Sequence, residues 1–96
     1  MAAPAGAGGE GTGALRVSVI SPEQTLYEGE ADSVVAPAWH GELGILRGHA
    51  PLLALLGTGS LRIRAGSQTR RFRVSGGFLQ VLDDVVTVLS ETAEAE

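Results

Sequence analysis

The chain has 96 residues and a formal net charge of −4, which bounds it to one domain and supplies no basic field for nucleic acid. It has no cysteine, so neither a disulfide nor a thiolate metal site can brace it, and aromatic residues make up 4% of it, too few for a stacking platform on single strands. No apolar run reaches the roughly 20 residues of a membrane helix, and the N-terminus lacks the basic start and apolar core of a signal peptide.

Met1 to Ala14 is mostly Ala and Gly, with Pro4, Glu10 and Thr12. It has no periodicity and little to bury, so residues 1–14 read as a disordered tail. Leu15, Val17 and Val19 alternate with Arg16 and Ser18, the pattern of a half-buried strand. Ser21-Pro22-Glu23 turns the chain, because Pro fixes φ and Ser can bond its own backbone. Thr25 to Glu28 reads as a short strand that Gly29 breaks or bulges, and Ala31 to Ala36 as a Val-rich extended run that ends near Pro37.

Gly41 to Leu46 is too short and too Gly-rich for a helix and is expected to bend. Gly48, His49 and Ala50 form a connector, with Ala50 extended because Pro51 follows it. Leu52 to Leu56 is apolar throughout and predicts a buried strand or a single helical turn. Leu61, Ile63 and Ala65 alternate with Arg62 and Arg64, and Phe72 and Val74 with Arg71, Arg73 and Ser75, so Ala65 to Gln68 is the loop of a hairpin. Gly76-Gly77 allows a bulge or bend. Phe78 to Leu82 and Val85 to Leu89 are apolar on both faces, and Asp83-Asp84 between them suits a tight hairpin. Residues 91–96 read as an acidic tail, leaving residues 15–90 as the folded unit. The expected fold is all-β, a flattened two-sheet antiparallel sandwich of about eight to ten short strands.

Few constellations suit chemistry. His40 and Glu42 would share a strand face and, with His49, could form a two-His-one-carboxylate site. Chance recurrence of such trios, with no further ligand nearby, favours a solvated Glu42 and a His49 bonded to loop backbone. No Ser stands in a G-x-S-x-G elbow, and a chain without Lys cannot carry a phosphate loop of the G-x-x-x-x-G-K type. No catalytic residue, metal or cofactor is expected. The arginines are more informative. Any register that sets Leu61 and Ile63 against Phe72 and Val74 puts Arg62, Arg64, Arg71 and Arg73 on one outer face. Like charges opposed across a ladder need neutralising. Solvent or Glu23, Glu28, Glu30 and Asp32 would serve, and an acidic partner is the alternative.

The ordered segments L-R-V-S-V-I-S-P-E (Leu15 to Glu23), Tyr27 to Ala31, Val34 to Pro37, G-E-L-G-I-L-R-G-H-A-P-L-L (Gly41 to Leu53), T-G-S-L-R-I-R (Thr58 to Arg64), S-G-G-F-L-Q-V (Ser75 to Val81) and V-T-V-L (Val86 to Leu89) resemble the epsilon subunit of F-type ATP synthases in its N-terminal β-sandwich domain. The resemblance implies a flattened sandwich at the foot of the central stalk, bound to the gamma subunit and resting on the c-ring. It would sit in a complex with alpha, beta and delta subunits at the cytoplasmic face of the bacterial inner membrane. The domain would rotate with the ring and couple proton flow to ATP synthesis without catalytic residues of its own. It further implies that Gly41, Glu42, Leu43 and Gly44 form the tip that meets the ring, whose loops carry an Arg for Glu42, and that Ser21 and His49 lie on the gamma-facing surface. Arg47 stands where the motif usually has Pro. The chain resembles a short form without the C-terminal helical hairpin, so the inhibitory and ATP-binding roles of those helices are not implied. The competing expectation is a free-standing β-sandwich that binds a protein or a glycan. Such a module normally shows an aromatic platform. Here Trp39 and Tyr27 are the only aromatics not read as core, since Phe72 and Phe78 both look buried.

Overall fold

The computed structural model describes residues 15–96, and the N-terminal tail expected over residues 1–14 lies outside them. Eight strands follow in order: β1 (Leu15–Ile20), β2 (Thr25–Ala31), β3 (Ser33–Ala38), β4 (Gly41–Leu46), β5 (Leu52–Leu55), β6 (Thr58–Ala65), β7 (Gln68–Leu82) and β8 (Val85–Ala95). They hydrogen-bond as one path, β2-β1-β8-β7-β6-β3-β4, with β5 added to β7.

This single sheet folds over on itself into two layers. Layer one holds β5, the second half of β7, the first half of β8, β1 and β2. Layer two holds β4, β3, β6, the first half of β7 and the second half of β8. The long β7–β8 hairpin therefore belongs to both. It bends at Gly76 and Gly77, whose φ angles of 72° and 101° lie in the left-handed region. Across that bend the inward positions change phase: Phe72 and Val74 are buried before it, and Leu79 and Val81 after it. Ser90 sits opposite Gly77 and is itself buried. Its hydroxyl accepts from the Ser75 amide at 3.2 Å and donates toward the Thr92 carbonyl at 2.5 Å, so the one buried side-chain hydroxyl opposite the bend is satisfied.

The core between the layers is one cluster. Leu15, Val17, Val19, Val86 and Val88 of layer one meet Val34, Ile45, Leu61, Ile63, Phe72 and Val74 of layer two. Arg70 lies over the Tyr27 and Phe72 rings at 5.6 and 5.7 Å and covers one open side of the core. Burial pushes the Tyr27 phenol above its ordinary pKa, the Arg70 charge works the other way, and the hydroxyl donates to the Glu30 carbonyl at 3.0 Å.

The turns follow from local chemistry. Asp83 and Asp84 take φ angles of 50° and 63°, the mirror-image turn that matches the twist of the flanking strands. Between the layers the crossing segments are tied down. The Gly66 amide donates to Asp32 Oδ2 at 2.8 Å, and the Gly48 amide to Asp84 Oδ1 at 2.7 Å.

Several expectations are corrected. The sandwich is not wholly antiparallel: β1 runs parallel to β8. These two strands lie near opposite ends of the folded unit, so no hairpin dictates their direction. The strands are not all short, since β7 has 15 residues and β8 has 11. Residues 91–95 are strand, not tail, because Thr92, Ala93, Glu94 and Ala95 pair with Ser75, Val74, Arg73 and Phe72. Backbone pairing to an existing template outweighs the weak β preference of Glu and Ala. Gly41 to Gly44 is the start of β4, and the reversal before it is Trp39-His40, with Gly41 at φ 133° taking up the exit. Leu52 to Leu55 is a strand with Leu53 and Leu55 outward, and Phe78 is outward too.

Candidate functional site: two outer faces

The outer face of layer one is apolar over β5, β7 and β8. Leu53, Leu55, Phe78, Leu82, Val85 and Leu89 are each between 44% and 68% exposed. Register sets them in rows across the strands. Leu55, Phe78, Leu89 and Ile20 form one row over β5, β7, β8 and β1. Leu82 and Val85 form another at the hairpin end, and the polar pair Gln80 and Thr87 separates the two rows, with Leu53 beside Gln80. Phe78 and Leu89 border two depressions. One, of about 330 Å³, reaches Ile20, Ser21 and Pro22. The other, of about 240 Å³, is closed by Leu53, Gln80 and Thr87.

Ser21 and His49 stand at opposite ends of this face. Ser21 follows Ile20 at the Phe78–Leu89 end. It is 6% exposed, and its hydroxyl accepts from the Gln24 amide at 3.3 Å within the Ser-Pro-Glu-Gln turn. His49 precedes β5 at the Leu82–Val85 end, beside the Arg47-Gly48 turn that Asp84 holds. Its Nδ1 is 2.7 Å from the Ala50 carbonyl, and since a carbonyl only accepts, Nδ1 is the donor. The apolar rows between them were not read as a surface from the sequence. The signal was present: two adjacent strands apolar on both sides have only one side to give to the core of a two-layer fold.

The outer face of layer two is charged. Arg62 stands directly opposite Arg71, Ser60 opposite Arg73, and Arg64 opposite Thr69, so all four arginines share the face. Their carboxylate neighbours are only in part those expected: Asp32 adjoins Arg64, its amide donating to the Arg64 carbonyl at 2.7 Å. Glu28 and Glu30 lie on β2 in the other layer, beside Ser18 and Arg16. Glu42 of β4 instead reaches Arg62, with Oε2 to Nη2 at 3.5 Å, the one ion pair among the described residues. Glu94 pairs with Arg73 in register, and Glu96 Oε1 accepts from the Ser60 hydroxyl at 2.9 Å. Glu42, Leu43 and Gly44 lie on β4, the edge strand, just past the Trp39-His40 tip, where Trp39 is 70% exposed. His40, Glu42 and His49 do not come together as a metal site: no group of three or more potential ligands does so among the described residues.

The described residues thus form a small sandwich with an apolar patch on one outer face, a charged outer face on the other and an exposed hairpin tip. The family it belongs to is the ATP synthase delta/epsilon chain β-sandwich domain, which matches residues 14–96. An ATP synthase epsilon chain of Leptospira borgpetersenii serovar Hardjo-bovis (strain JB197) is 52% identical over 77 residues, covering 80% of this chain and 61% of that one. Another, of Frankia casuarinae, is 44% identical over 81 residues, covering 83% of this chain and 95% of that one. This chain spans about 60% of the length of most such relatives. Among solved structures, a chain of the Euglena gracilis mitochondrial ATP synthase (OSCP/F1/c-ring, rotational state 1) shares the fold with a TM-score of 0.78 at 21% identity, over 88% of this chain and 55% of that one.

Proposed function

We propose that this chain is an epsilon-type rotor subunit of a proton-translocating F-type ATP synthase. It docks on the gamma subunit through the apolar face of layer one, rests on the c-ring through the Gly41–Gly44 edge, and couples ring rotation to the catalytic head. It acts as a non-catalytic part of the complex with alpha, beta and delta subunits, held peripherally at the cytoplasmic face of the bacterial inner membrane.

The observation that carries this reading is the apolar face that Ser21 and His49 bracket. Six large apolar side chains left half open to water on a chain of this size mark an interface. Relatives named ATP synthase epsilon chain support the identity of the partner. Stiffness supports the mechanical role, since a close-packed sandwich transmits strain that a flexible linker would dissipate. Isolation of the tagged chain from its native membranes is expected to recover gamma, the catalytic subunits and the c-ring. Recovery of the chain alone would leave a free-standing binding module.

Glu42 is the residue proposed to meet the ring. Its carboxylate would complement an Arg of the ring loops through directed hydrogen bonds. Glu42→Lys is expected to lower proton-driven ATP synthesis severalfold while the domain stays folded. Its pair with Arg62 is exposed, with side chains 62% and 36% accessible, and such pairs contribute about 0–1 kcal/mol. Synthesis in inverted membrane vesicles and thermal melting of the free chain separate the two effects. Normal synthesis in the variant would count against the contact.

A further inference from the structure

The charged face points to a ligand of its own. We propose that the depression between β3, β6 and β7 on the outer face of layer two binds a free inorganic oligophosphate of about pyrophosphate size. Its lining is Ser33, Val35, Arg62, Arg64, Thr69 and Arg71, around a volume of about 330 Å³. That lies at the small end of the range for ligand sites, roughly 300–1,000 Å³.

Register builds the site. Arg62 and Arg71 are direct cross-strand partners, and Arg64 follows on the same side of β6 beside Thr69 and Ser33. Opposed guanidiniums repel until an anion lies between them. Their planar forks suit phosphate oxygens bidentately, and the two hydroxyls add neutral donors. Val35 is the only apolar side chain in the lining, and no aromatic ring is there to stack a base. The chemistry therefore selects the phosphates and nothing attached to them.

Charge placement decides between a compact anion and an acidic polypeptide. Carboxylates stand on both sides of the arginines. Glu42 lies on the β4 side, and Glu94 and Glu96 lie on the β8 side. An extended acidic segment laid across the strands would run into one or both. A pyrophosphate-sized anion would stay between them.

Glu42 is an internal competitor for this site, because it already holds Arg62 at 3.5 Å. A phosphate on Arg62 releases Glu42, and by linkage anything that engages Glu42 makes Arg62 more available to phosphate. In the assembled enzyme this would tie oligophosphate to the freedom of the ring-facing carboxylate. That last step alone rests on the rotor-subunit reading.

The test is an amide-resolved NMR titration of the full chain at constant ionic strength with pyrophosphate, orthophosphate, sulfate and a poly-glutamate peptide. Pyrophosphate is expected to saturate, with shifts centred on Ser33, Arg62, Arg64, Thr69 and Arg71 and a dissociation constant below about 1 mM. Arg64→Ser and Arg71→Ser, both exposed positions, should each weaken binding about tenfold. Glu42→Gln should tighten it about threefold. Non-saturating shifts, pyrophosphate no tighter than sulfate, or variants without effect would overturn the site. Tighter binding of poly-glutamate at the same residues would overturn it in favour of an acidic protein partner. Because the titration uses the free chain, a negative result leaves the rotor-subunit reading untouched, and a failed co-purification leaves the anion site untouched.

Discussion

Leu89→Arg is expected to release the chain from its complex while leaving it folded. Leu89 lies in the row with Ile20 and Phe78 and borders both depressions on the outer face of layer one. Its side chain points away from the core and is half open in the free chain, so a longer charged side chain there meets water. In a docked state the same guanidinium would be buried against apolar neighbours without a partner, which costs several kcal/mol. The expected loss of affinity is at least about a hundredfold, or roughly 2.7 kcal/mol. Co-purification from native membranes should lose gamma and the ring. The melting temperature of the isolated chain should move by less than about 5 °C, as for a surface substitution. A variant that still recovers gamma would place the interface elsewhere.

The size of the face explains why one residue suffices. The half-open apolar side chains are spread over three strands, β5, β7 and β8, and Phe78 and Leu89 stand in the middle of the row from Leu55 to Ile20, beside the two hollows. Central aromatic and aliphatic anchors near pockets carry most of the binding energy of an interface, while the surrounding contacts chiefly exclude water. Phe78→Ala should therefore weaken docking in the same assay, though less than the buried charge does.

Alternation made much of the fold legible in the sequence. Leu61, Ile63, Phe72 and Val74 mark one face so strictly that both the β6–β7 hairpin and the common face of the four arginines follow from it. Asp83-Asp84 named its own turn through residues that tolerate positive φ. Where alternation failed, so did the reading. Leu52 to Leu56 is apolar at every position and Phe78 to Leu82 at every position but Gln80, and such runs look buried whether the second side faces a core or a partner. The chain's own hydropathy does not distinguish those cases, because a docked face is a core cut in half. The extension of β8 was hidden for a different reason. Glu91 to Ala95 carries no β-forming pattern beyond Thr92, and its conformation comes from β7, which runs on past the bend and offers a free row of backbone groups. The pairing of Glu42 with Arg62 was illegible too, since it depends on β4 and β6 both bordering β3.

Gly77→Ala is expected to be the most damaging single substitution in the bend. A Cβ at Gly77 would fall on the Leu89 carbonyl oxygen, with the Leu89 carbonyl carbon and Ser90 Cα each 2.9 Å away. All three are backbone atoms of the paired strand, so no side chain can swing aside. The φ of 101° adds strain for any residue with a Cβ. Gly76→Ala is the informative comparison. Its φ is 72°, and its Cβ would meet the Glu91 carboxylate at 2.6 Å, the free end of an exposed side chain that can rotate away. The expected cost is about 1–2 kcal/mol for Gly76→Ala and more than about 4 kcal/mol for Gly77→Ala. For a domain of this size that is a fall in melting temperature of roughly 5–15 °C against more than about 20 °C, or no folded protein. Circular dichroism melts of the two variants decide the matter. Equal stabilities would mean that β8 yields easily at Leu89 and that the bend is not what holds the layers together. The damage would also reach the interface: the Gly77 carbonyl accepts from the Leu56 amide at 2.9 Å, and Phe78 and Leu89 flank the bend. Gly77→Ala should thus abolish docking by unfolding the platform, whereas Leu89→Arg abolishes it on an intact one. The two variants together separate what builds the apolar face from what uses it.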